Sequence, residues 1–558
     1  MYKKLSISNF RSFGVNQGGK PQVVEFSPLT IIVGDNSAGK SNIIRALMMA
    51  TDPYCNYLKR EDFFLRKTSN SVRKSPKIEL ICDIELEGTN TKLETKVSGA
   101  KKETFQKEFY IDGNKIGESN AISPPSEDLI AQLKPFSLFV APTIRDISYL
   151  SKAKDLLPIA TRSTITGAST ALRKELGQRL SAVTSKLSIA TRFKGISARP
   201  TFNLDELMSI VGLTFEVNDE IDLPLEHLGH GDISKVIIKL AELQGEEHCI
   251  AIEEPEIHVH PTGIKTLVYA FEDLVEKNDR QVIITTHSES LVNNTKFESL
   301  VHVKQLGQRS IAKRVSALGV RSGSTEEHSI IRKSQRGLLF LSKMLVIVEG
   351  PDDRMLLEIL DDRGDLDLFK NDISILELSG FGEFEKYRKV LSRIEVPYIV
   401  LMDEIQVAKC DQQGTWSNGD VFSRLEISDE LPSNKLSKFD PEKYGKSAPS
   451  RKRSIVANLS NEWGLDNIGF ISHGHKDINE LVLEVFDGLK AAEKEEIANK
   501  LFLSIASFDI EDAIDKCRAN ISSKGEKLIS VTQAIPKGKF GRLKKYFDSE
   551  TKRLNGFN

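Results

Sequence analysis

The chain has 558 residues, 39% of them hydrophobic and 28% charged, with a formal net charge of −2. That length exceeds a single compact core, so two or three domains are expected. The near-neutral balance excludes a global basic field and leaves only local patches for any nucleic-acid contact. Cys55, Cys82, Cys249, Cys410 and Cys517 are odd in number and not closely paired, which argues against a disulfide framework or a cysteine zinc site and fits a reducing cytoplasm. No apolar run approaches the roughly 20 residues that span a bilayer. Met1-Tyr2-Lys3-Lys4-Leu5 leads into strand-like alternation instead of a signal peptide, so a soluble cytoplasmic protein without a membrane partner is expected.

In chain order, the first strand-like segment is followed by Asn9-Phe10-Arg11-Ser12-Phe13, where Arg11 either reaches a nucleotide or sits in an exposed turn. The apolar run Leu29-Thr30-Ile31-Ile32-Val33 then leads into Gly34-Asp35-Asn36-Ser37-Ala38-Gly39-Lys40-Ser41, and a helix-like stretch from Asn42 to Ala50 follows. This strand, loop and helix is the context that a phosphate-loop pattern requires. Backbone amides of Gly34, Asn36 and Gly39 and the helix start at Asn42 are placed to cradle the phosphates of ATP. Lys40 neutralises the outer phosphates and the Ser41 hydroxyl joins a magnesium shell.

Further on, Leu172, Leu176, Leu180, Val183 and Leu187 fall at helical spacing, and the stripe predicts a helical insertion that packs on its own domain or on a second protomer. Leu228-Gly229-His230-Gly231-Asp232 offers a second glycine turn at a helix start, where Gly229 and Gly231 can approach phosphate. The buried-strand pattern Cys249 to Ile252 ends in Glu253, suited to the magnesium shell, and Glu254, suited to orienting or deprotonating the attacking water. Val282 to Ile284 precedes Thr285-Thr286-His287, where His287 is placed to sense the γ-phosphate. His258 and His260 have a metal-like spacing, but the following Pro261 fits a turn better and they are not assigned as ligands. In this order the motifs resemble the ABC-type ATPase heads of the RecF and SMC kind. In that family the signature of one head closes on ATP held by another, so the resemblance implies a homodimer or higher oligomer. Gly229 and His230 depart from the usual Ser-Gly of that signature.

A separate acidic region begins beyond residue 340. Leu345 to Val348 ends in Glu349, a glycine turn brings Asp353 to a helix start, and Tyr398 to Met402 ends in Asp403-Glu404. Carboxylates gathered at strand ends suit magnesium or manganese, which take oxygen ligands and support phosphoryl chemistry. Glu349, Asp353 and Asp403, with Glu404 as a further oxygen donor, form the expected metal set. The pattern resembles the toprim domain. Placed after an ATPase head, it makes nearly the whole chain resemble the overcoming lysogenization defect (OLD) family of ATPase-coupled nucleases. Gly380-Phe381-Gly382 matches that family's middle glycine turn, and Lys539, with Lys537 second, matches its C-terminal lysine, which would stabilise phosphate charge. Two positions depart: Ile405 stands where the family carries a second Asp, for which Glu404 or Asp411 would substitute, and Asn479 stands at an acidic position with Glu480 one step away.

The expected fold is therefore α/β. An ATPase head (1–150 and 216–335) interrupted by a helical, dimerising segment (151–215) precedes a toprim nuclease domain (336–558). The resemblance implies an ATP-regulated, divalent-metal-dependent DNA endonuclease of antiviral defence, acting alone or beside a helicase or a retron reverse transcriptase with its RNA and DNA. The alternative is a RecF-like, ATP-driven DNA clamp whose toprim domain is catalytically impaired and serves for docking. Arg451-Lys452-Arg453 and Lys537 through Lys545 are basic clusters that either meet DNA phosphates or face solvent. Ser433 to Ser450 lacks apolar periodicity and is expected to be a loop.

Overall fold

The computed structural model describes residues 1–15, 19–54, 59–68, 71–74, 77–99, 105–120, 125–141, 196–202, 211–217, 221–224, 249–257, 259–278, 280–315, 335–378, 380, 384–402, 448–449, 451, 468–472, 475, 478–502, 509–523 and 525–555. The chain divides into two compact units, Met1–Ser324 and Thr325–Asn558.

The strands of the first unit are β1 (Tyr2–Ser8), β2 (Gln22–Glu25), β3 (Leu29–Val33), β4 (Leu65–Thr68), β5 (Ser71–Lys74), β6 (Lys77–Leu86), β7 (Thr89–Gly99), β8 (Phe105–Ile111), β9 (Asn114–Asn120), β10 (Leu138–Ala141), β11 (Ile196–Phe202), β12 (Val211–Val217), β13 (Ile221–Pro224), β14 (Cys249–Glu253), β15 (Gln281–Thr286), β16 (Leu300–Leu306) and β17 (Arg309–Arg314). Its helices are α1 (Lys40–Thr51), α2 (Glu127–Leu133), α3 (Pro261–Asn278) and α4 (Glu289–Asn293). One sheet, in the order β2-β1-β6-β7-β8-β9, is antiparallel throughout. Its hairpins turn at Glu87-Gly88 and Asp112-Gly113, where both residues have positive φ, the geometry that a two-residue connection between right-twisted strands needs. The second sheet, β10-β14-β15-β3-β16-β17, is parallel except for its last strand.

Helix α1 packs against strands of both sheets. Ile43, Ile44, Leu47 and Ala50 repeat at helical spacing and are fully buried in the core with Leu5, Leu80 and Ile283. Each large side chain so buried contributes about 1.5–3 kcal/mol. The far end of α1 is anchored by the buried Lys107 ammonium, which donates to Asp52 O at 2.7 Å and Tyr54 O at 2.8 Å, a cation set against the helix C-terminus.

Of the segment 151–215 expected to be helical, the described parts, 196–202 and 211–215, belong instead to strands of the antiparallel sheet β11-β12-β13. The alternation of Val211, Leu213, Phe215 and Val217 has a period of two, which suits a strand. The stripe from Leu172 to Leu187 lies outside the described residues, as do Gly229, His230 and Gly231.

The second unit contains α5 (Arg336–Leu341), β18 (Met344–Val348), α6 (Pro351–Asp362), β19 (Ile373–Glu377), α7 (Phe384–Ile394), β20 (Tyr398–Met402), β21 (Ile468–Ser472), α8 (Ile478–Asp487), α9 (Ala491–Phe502), α10 (Ile510–Ser522), α11 (Glu526–Ala534) and α12 (Gly541–Asn555). The sheet order is β19-β18-β20-β21 and every pairing is parallel. All five residues of β18 are buried, as expected for a parallel strand covered on both faces. Val346 and Val348 share a core with Leu356 and Leu360 of α6, Val482 and Phe486 of α8, and Phe547 of α12. Among the described residues no helix is long and apolar enough to cross a membrane.

Candidate functional site

In the first unit three parallel strands end level with one another. The register pairs Glu253 with Thr285 and Thr286 with Val33, so the residues that follow β14, β15 and β3 emerge side by side at one sheet edge. Adjacent strands lie about 4.8 Å apart, and this brings Glu254, His287 and Gly34 together from distant parts of the sequence.

The loop that leaves β3 needs glycine twice. A Cβ on Gly34 would sit 2.1 Å from Val303 O of β16. Gly39, immediately before α1, has φ +106°, and a Cβ there would sit 2.5 Å from Ser310 Oγ and 2.7 Å from Ser12 Oγ. Ser310 Oγ also donates to Ala38 O at 2.6 Å, tying β17 to the loop. Lys40, 6% exposed, donates its ammonium to Gly34 O and Asp35 O, both at 2.9 Å. Burial lowers its pKa, while the charges of Glu254, Asp35 and Glu256 oppose that shift, so three carboxylates stand within electrostatic reach of the ammonium. Asn36 and Ser41 lie on either side of Gly39; the Asn36 amide donates to Asp35 Oδ1 at 2.7 Å, and Ser41 is in the first turn of α1.

Arg11 is held in the left-handed region, φ 48°, by Asp62: its backbone amide donates to Asp62 O at 2.7 Å, and Nε and Nη2 lie 2.8 Å from Asp62 Oδ1. Its Nη1 donates to Asn42 Oδ1 at 3.3 Å, and Asn42 Nδ2 donates to Ser12 Oγ at 2.9 Å. The guanidinium thus braces the start of α1 through Asn42, with its donors turned to Asp62 and Asn42.

On the neighbouring strand ends, Glu254 takes a left-handed φ of 47° and its amide donates to Thr285 O at 2.9 Å. Glu254 Oε1 lies 3.1 Å from His287 Nδ1. Glu256, a residue that sequence reasoning missed, is 8% exposed and its Oε1 accepts from Thr286 Oγ1 at 2.5 Å and from the His287 amide at 3.3 Å. Burial raises its pKa. The signal was present as a third acid in Glu253-Glu254-Pro255-Glu256. His260 lies just before α3, and His258 is outside the described residues.

In the second unit Glu349 follows β18 directly. Gly350 caps α6, Pro351 opens it, and Asp353 turns back so that Oδ2 accepts from the Gly350 amide at 3.3 Å. Gly380, with φ +104°, donates its amide to Glu349 O at 3.2 Å and so stands over the same strand end; Phe381 and Gly382 lie outside the described residues. Glu349 and Asp353 are thereby brought to one corner. Their carboxylate oxygens are the hard donors that magnesium and manganese take. Asp403 and Glu404 lie outside the described residues; β20, which ends at Met402, is the strand next to β18, with Val400 paired to Ile347. Among the described residues no group of three His, Cys, Asp or Glu is arranged to hold a metal ion. Glu377, at the end of β19 beside Val348, is a further strand-end acid, 3.9 Å from Arg354 Nη1. Asn479 is 7% exposed in the first turn of α8, and Glu480 is exposed beside it. His475 Nε2 lies 2.6 Å from Glu484 Oε2.

Lys539 is not brought to this corner. Its ammonium lies 2.7 Å and 3.0 Å from the two carboxylate oxygens of Glu493, near the start of α9, and this pairing lowers the Glu493 pKa. The adjacent Gly538 amide donates to Asp365 Oδ1 at 2.5 Å, and Lys537 Nζ approaches Gly364. Gly364 and Asp365 follow the C-terminal end of α6, whereas Glu349 and Asp353 stand at its N-terminal end. A 12-residue helix separates those ends by about 18 Å. The segment that carries Lys539 is thus clasped, through Gly538, to the residues that follow the C-terminal end of α6. Lys544 is likewise turned to Asp367.

The fold and these strand-end arrangements define an α/β unit with a phosphate-loop strand end, followed in the same chain by a second α/β unit with an acidic strand end. Residues 29–293 match the family described as "AAA domain, putative AbiEii toxin, Type IV TA system", and residues 340–404 match "Overcoming lysogenization defect protein-like, TOPRIM domain". The chain is similar to proteins of the OLD family. It is similar to the Old nuclease of Escherichia phage P2, 23% identical over 460 residues that cover 72% of this chain and 76% of that one. It is also similar to the OLD nuclease of Thermus scotoductus, 24% identical over 198 residues that cover 33% of this chain and 37% of that protein. Among solved structures, an SMC head bound to the C-winged helix domain of ScpA aligns with a TM-score of 0.40 at 15% identity, over 56% of this chain and 96% of that one.

Proposed function

We propose that the chain is an ATP-regulated, divalent-metal-dependent DNA endonuclease. The observation that carries this reading is the corner formed by Glu349 and Asp353 at the carboxyl end of β18, inside the segment that matches an OLD-like TOPRIM domain. The nuclease names of the relatives from phage P2 and Thermus scotoductus support the same reaction class.

In this reading Glu349 and Asp353, joined by Asp403 and Glu404 from the adjoining strand, hold magnesium or manganese. A divalent cation there supplies Lewis acidity and an activated water for phosphodiester hydrolysis. The chain's own contribution is to fix Glu349 from two sides, through the buried strand behind it and the Gly380 amide on its carbonyl. In the ATPase head the loop amides and Lys40 bind the phosphates of ATP, and Ser41 and Glu253 supply the magnesium oxygens. Glu254 takes a proton from or orients the attacking water, and His287, whose ring is oriented by Glu254, meets the γ-phosphate. Gly229 and Gly231 of a second copy complete that site, which makes the working species a homodimer or higher oligomer. Arg11 acts by bracing Asn42. Antiviral defence, alone or beside a helicase or a retron reverse transcriptase with its nucleic acid, is the biological setting the family suggests.

The test is cleavage of plasmid DNA with magnesium or manganese by the native protein and by Glu349→Ala. The proposal expects cutting by the first and none by the second; equal cutting by both would refute it. The buried Asn479, at a position where an acid was expected, favours a second reading: an ATP-driven DNA clamp whose TOPRIM domain only docks. ATP-dependent DNA retention without any cutting would select it.

A further inference from the structure

Glu256 lies past the acids that the ATPase reading uses, yet it is buried at the centre of their support. Its Oε1 accepts the Thr286 hydroxyl proton at 2.5 Å and the His287 amide proton at 3.3 Å. Thr286 Oγ1 in turn accepts from the Ser288 amide at 3.0 Å, and the Ser288 side chain caps α4 by accepting from the Leu291 amide at 3.3 Å. One chain of hydrogen bonds therefore runs from the segment after β14, across the end of β15, to the start of the next helix. His287 is held at both ends: its backbone by Glu256, and its ring by Glu254 at 3.1 Å.

A buried carboxylate costs free energy unless it is hydrogen-bonded, so its retention here calls for what those bonds achieve. They fix the backbone from which the His287 ring projects. They also fix the spacing between the two strand ends that carry Glu254 and His287. The second carboxylate oxygen, Oε2, is buried without a hydrogen-bond partner among the described residues, so the side chain is committed to the strand-end clamp through Oε1.

We infer that Glu256 is a positioning residue for ATP hydrolysis, holding His287 and Glu254 in their mutual register through Thr286 and the His287 amide. This goes beyond the roles assigned above and rests on the reading of the first unit as an ATPase. The clamp's hydrogen bonds join the segment after β14, the end of β15 and the start of α4, so its loss acts on the chemical step and not on nucleotide capture by Lys40.

The experiment measures steady-state ATP turnover of the full chain for Glu256→Ala, Glu256→Gln, Thr286→Val and His287→Ala, with Lys40→Ala as the control for the site itself. Glu256→Ala should lower kcat about 10- to 100-fold, the scale of a small misplacement of reacting groups. KM for ATP should stay within about twofold, and Glu256→Gln, which keeps an acceptor oxygen, should restore kcat to within about threefold of the native value. Thr286→Val should reproduce part of the loss, and Glu256→Ala combined with His287→Ala should be no slower than His287→Ala alone. Unchanged kcat in Glu256→Ala overturns the inference, as does a loss in Glu256→Gln as large as in Glu256→Ala with the same fall in thermal midpoint. A native protein that hydrolyses no ATP would instead overturn the ATPase reading.

Discussion

Gly34→Ala isolates the steric demand of the phosphate loop from its chemistry. The new Cβ would sit 2.1 Å from Val303 O, and real Cβ atoms stay at least 3.0 Å from such an atom, so the strands must part by about 0.9 Å (3.0 − 2.1). Val303 belongs to β16, whose pairing with β3 matches His302 to Val33, so the obstacle is a sheet carbonyl and not a side chain that can rotate away. Overpacking of this kind costs about 1–3 kcal/mol. At about 2 °C per kcal/mol for a unit of this size, the melting midpoint of the ATPase half should fall by about 2–6 °C. The fall is read by thermal unfolding monitored by circular dichroism, with Gly541→Ala as a control because nothing lies within 4 Å of a Cβ there. Gly39→Ala offers the contrast. Its clashes are with the Ser310 and Ser12 hydroxyls, so adding Ser12→Ala and Ser310→Ala should recover the steric part and leave a backbone penalty of about 1–2 kcal/mol from the left-handed φ. For Gly34→Ala no side-chain change should rescue. A midpoint within 1 °C of native, about the shift expected from a negligible perturbation, would refute the reasoning.

Lys40→Ala should abolish ATP turnover while leaving the fold intact, since the loss is of charge that the loop carbonyls hold in place and not of core packing. Unchanged turnover would refute the nucleotide assignment. Lys539→Ala should leave DNA cleavage close to native, because its ammonium is held by Glu493 and its segment by Asp365, beyond the C-terminal end of α6; a loss as complete as that of Glu349→Ala would contradict the placement. Asp367 has its pKa lowered to about 2 by hydrogen bonds from Lys370 and Lys544. A depressed carboxylate pKa contributes stability that is present above the unfolded value, about 3.9, and is lost as pH falls toward the folded one. The difference in thermal midpoint between the native protein and Asp367→Asn should therefore shrink between pH 5 and pH 2; a difference that stays constant over that window would count against the pair.

The strand ends were legible because they are local: five buried apolar runs, each followed by glycine, an acid or histidine, could be read without knowing what they pack against. Glu253 and Glu254, His287 and Glu349 do stand at the ends of β14, β15 and β18. What sequence patterning did not convey was anything decided by long-range contact. The antiparallel sheet built on β1 and β6 joins residues nearly 80 positions apart, as in Leu5 with Cys82, and its strands carry no motif. Arg11 could be read as a nucleotide contact or an exposed turn, but its partner Asp62 lies 51 residues away, and no local pattern conveys that the guanidinium is turned to Asp62 and Asn42. Lys539 shows the same limit in reverse, since a segment that resembles a catalytic lysine motif is fixed to Asp365, 173 residues earlier.

The two units solve one physical problem in the same way. A strand buried on both faces cannot carry polar side chains along its length, so its chemistry is concentrated at the carboxyl end, where helix starts supply unpaired amides. In the first unit Gly39 lets α1 begin against Ser12 and Ser310, and in the second Gly350 and Gly380 bracket Glu349 in the space between β18 and α6. The difference lies in the charge at each edge. Lys40 and its carbonyl partners give the first a buried cation suited to phosphate, whereas Glu349 and Asp353 give the second an anionic corner suited to a divalent cation. A charge reversal at one edge should leave the other untouched in its own assay. Glu349→Lys should abolish cleavage while ATP turnover per head persists, so a simultaneous loss of both would mean that hydrolysis itself depends on the acidic corner.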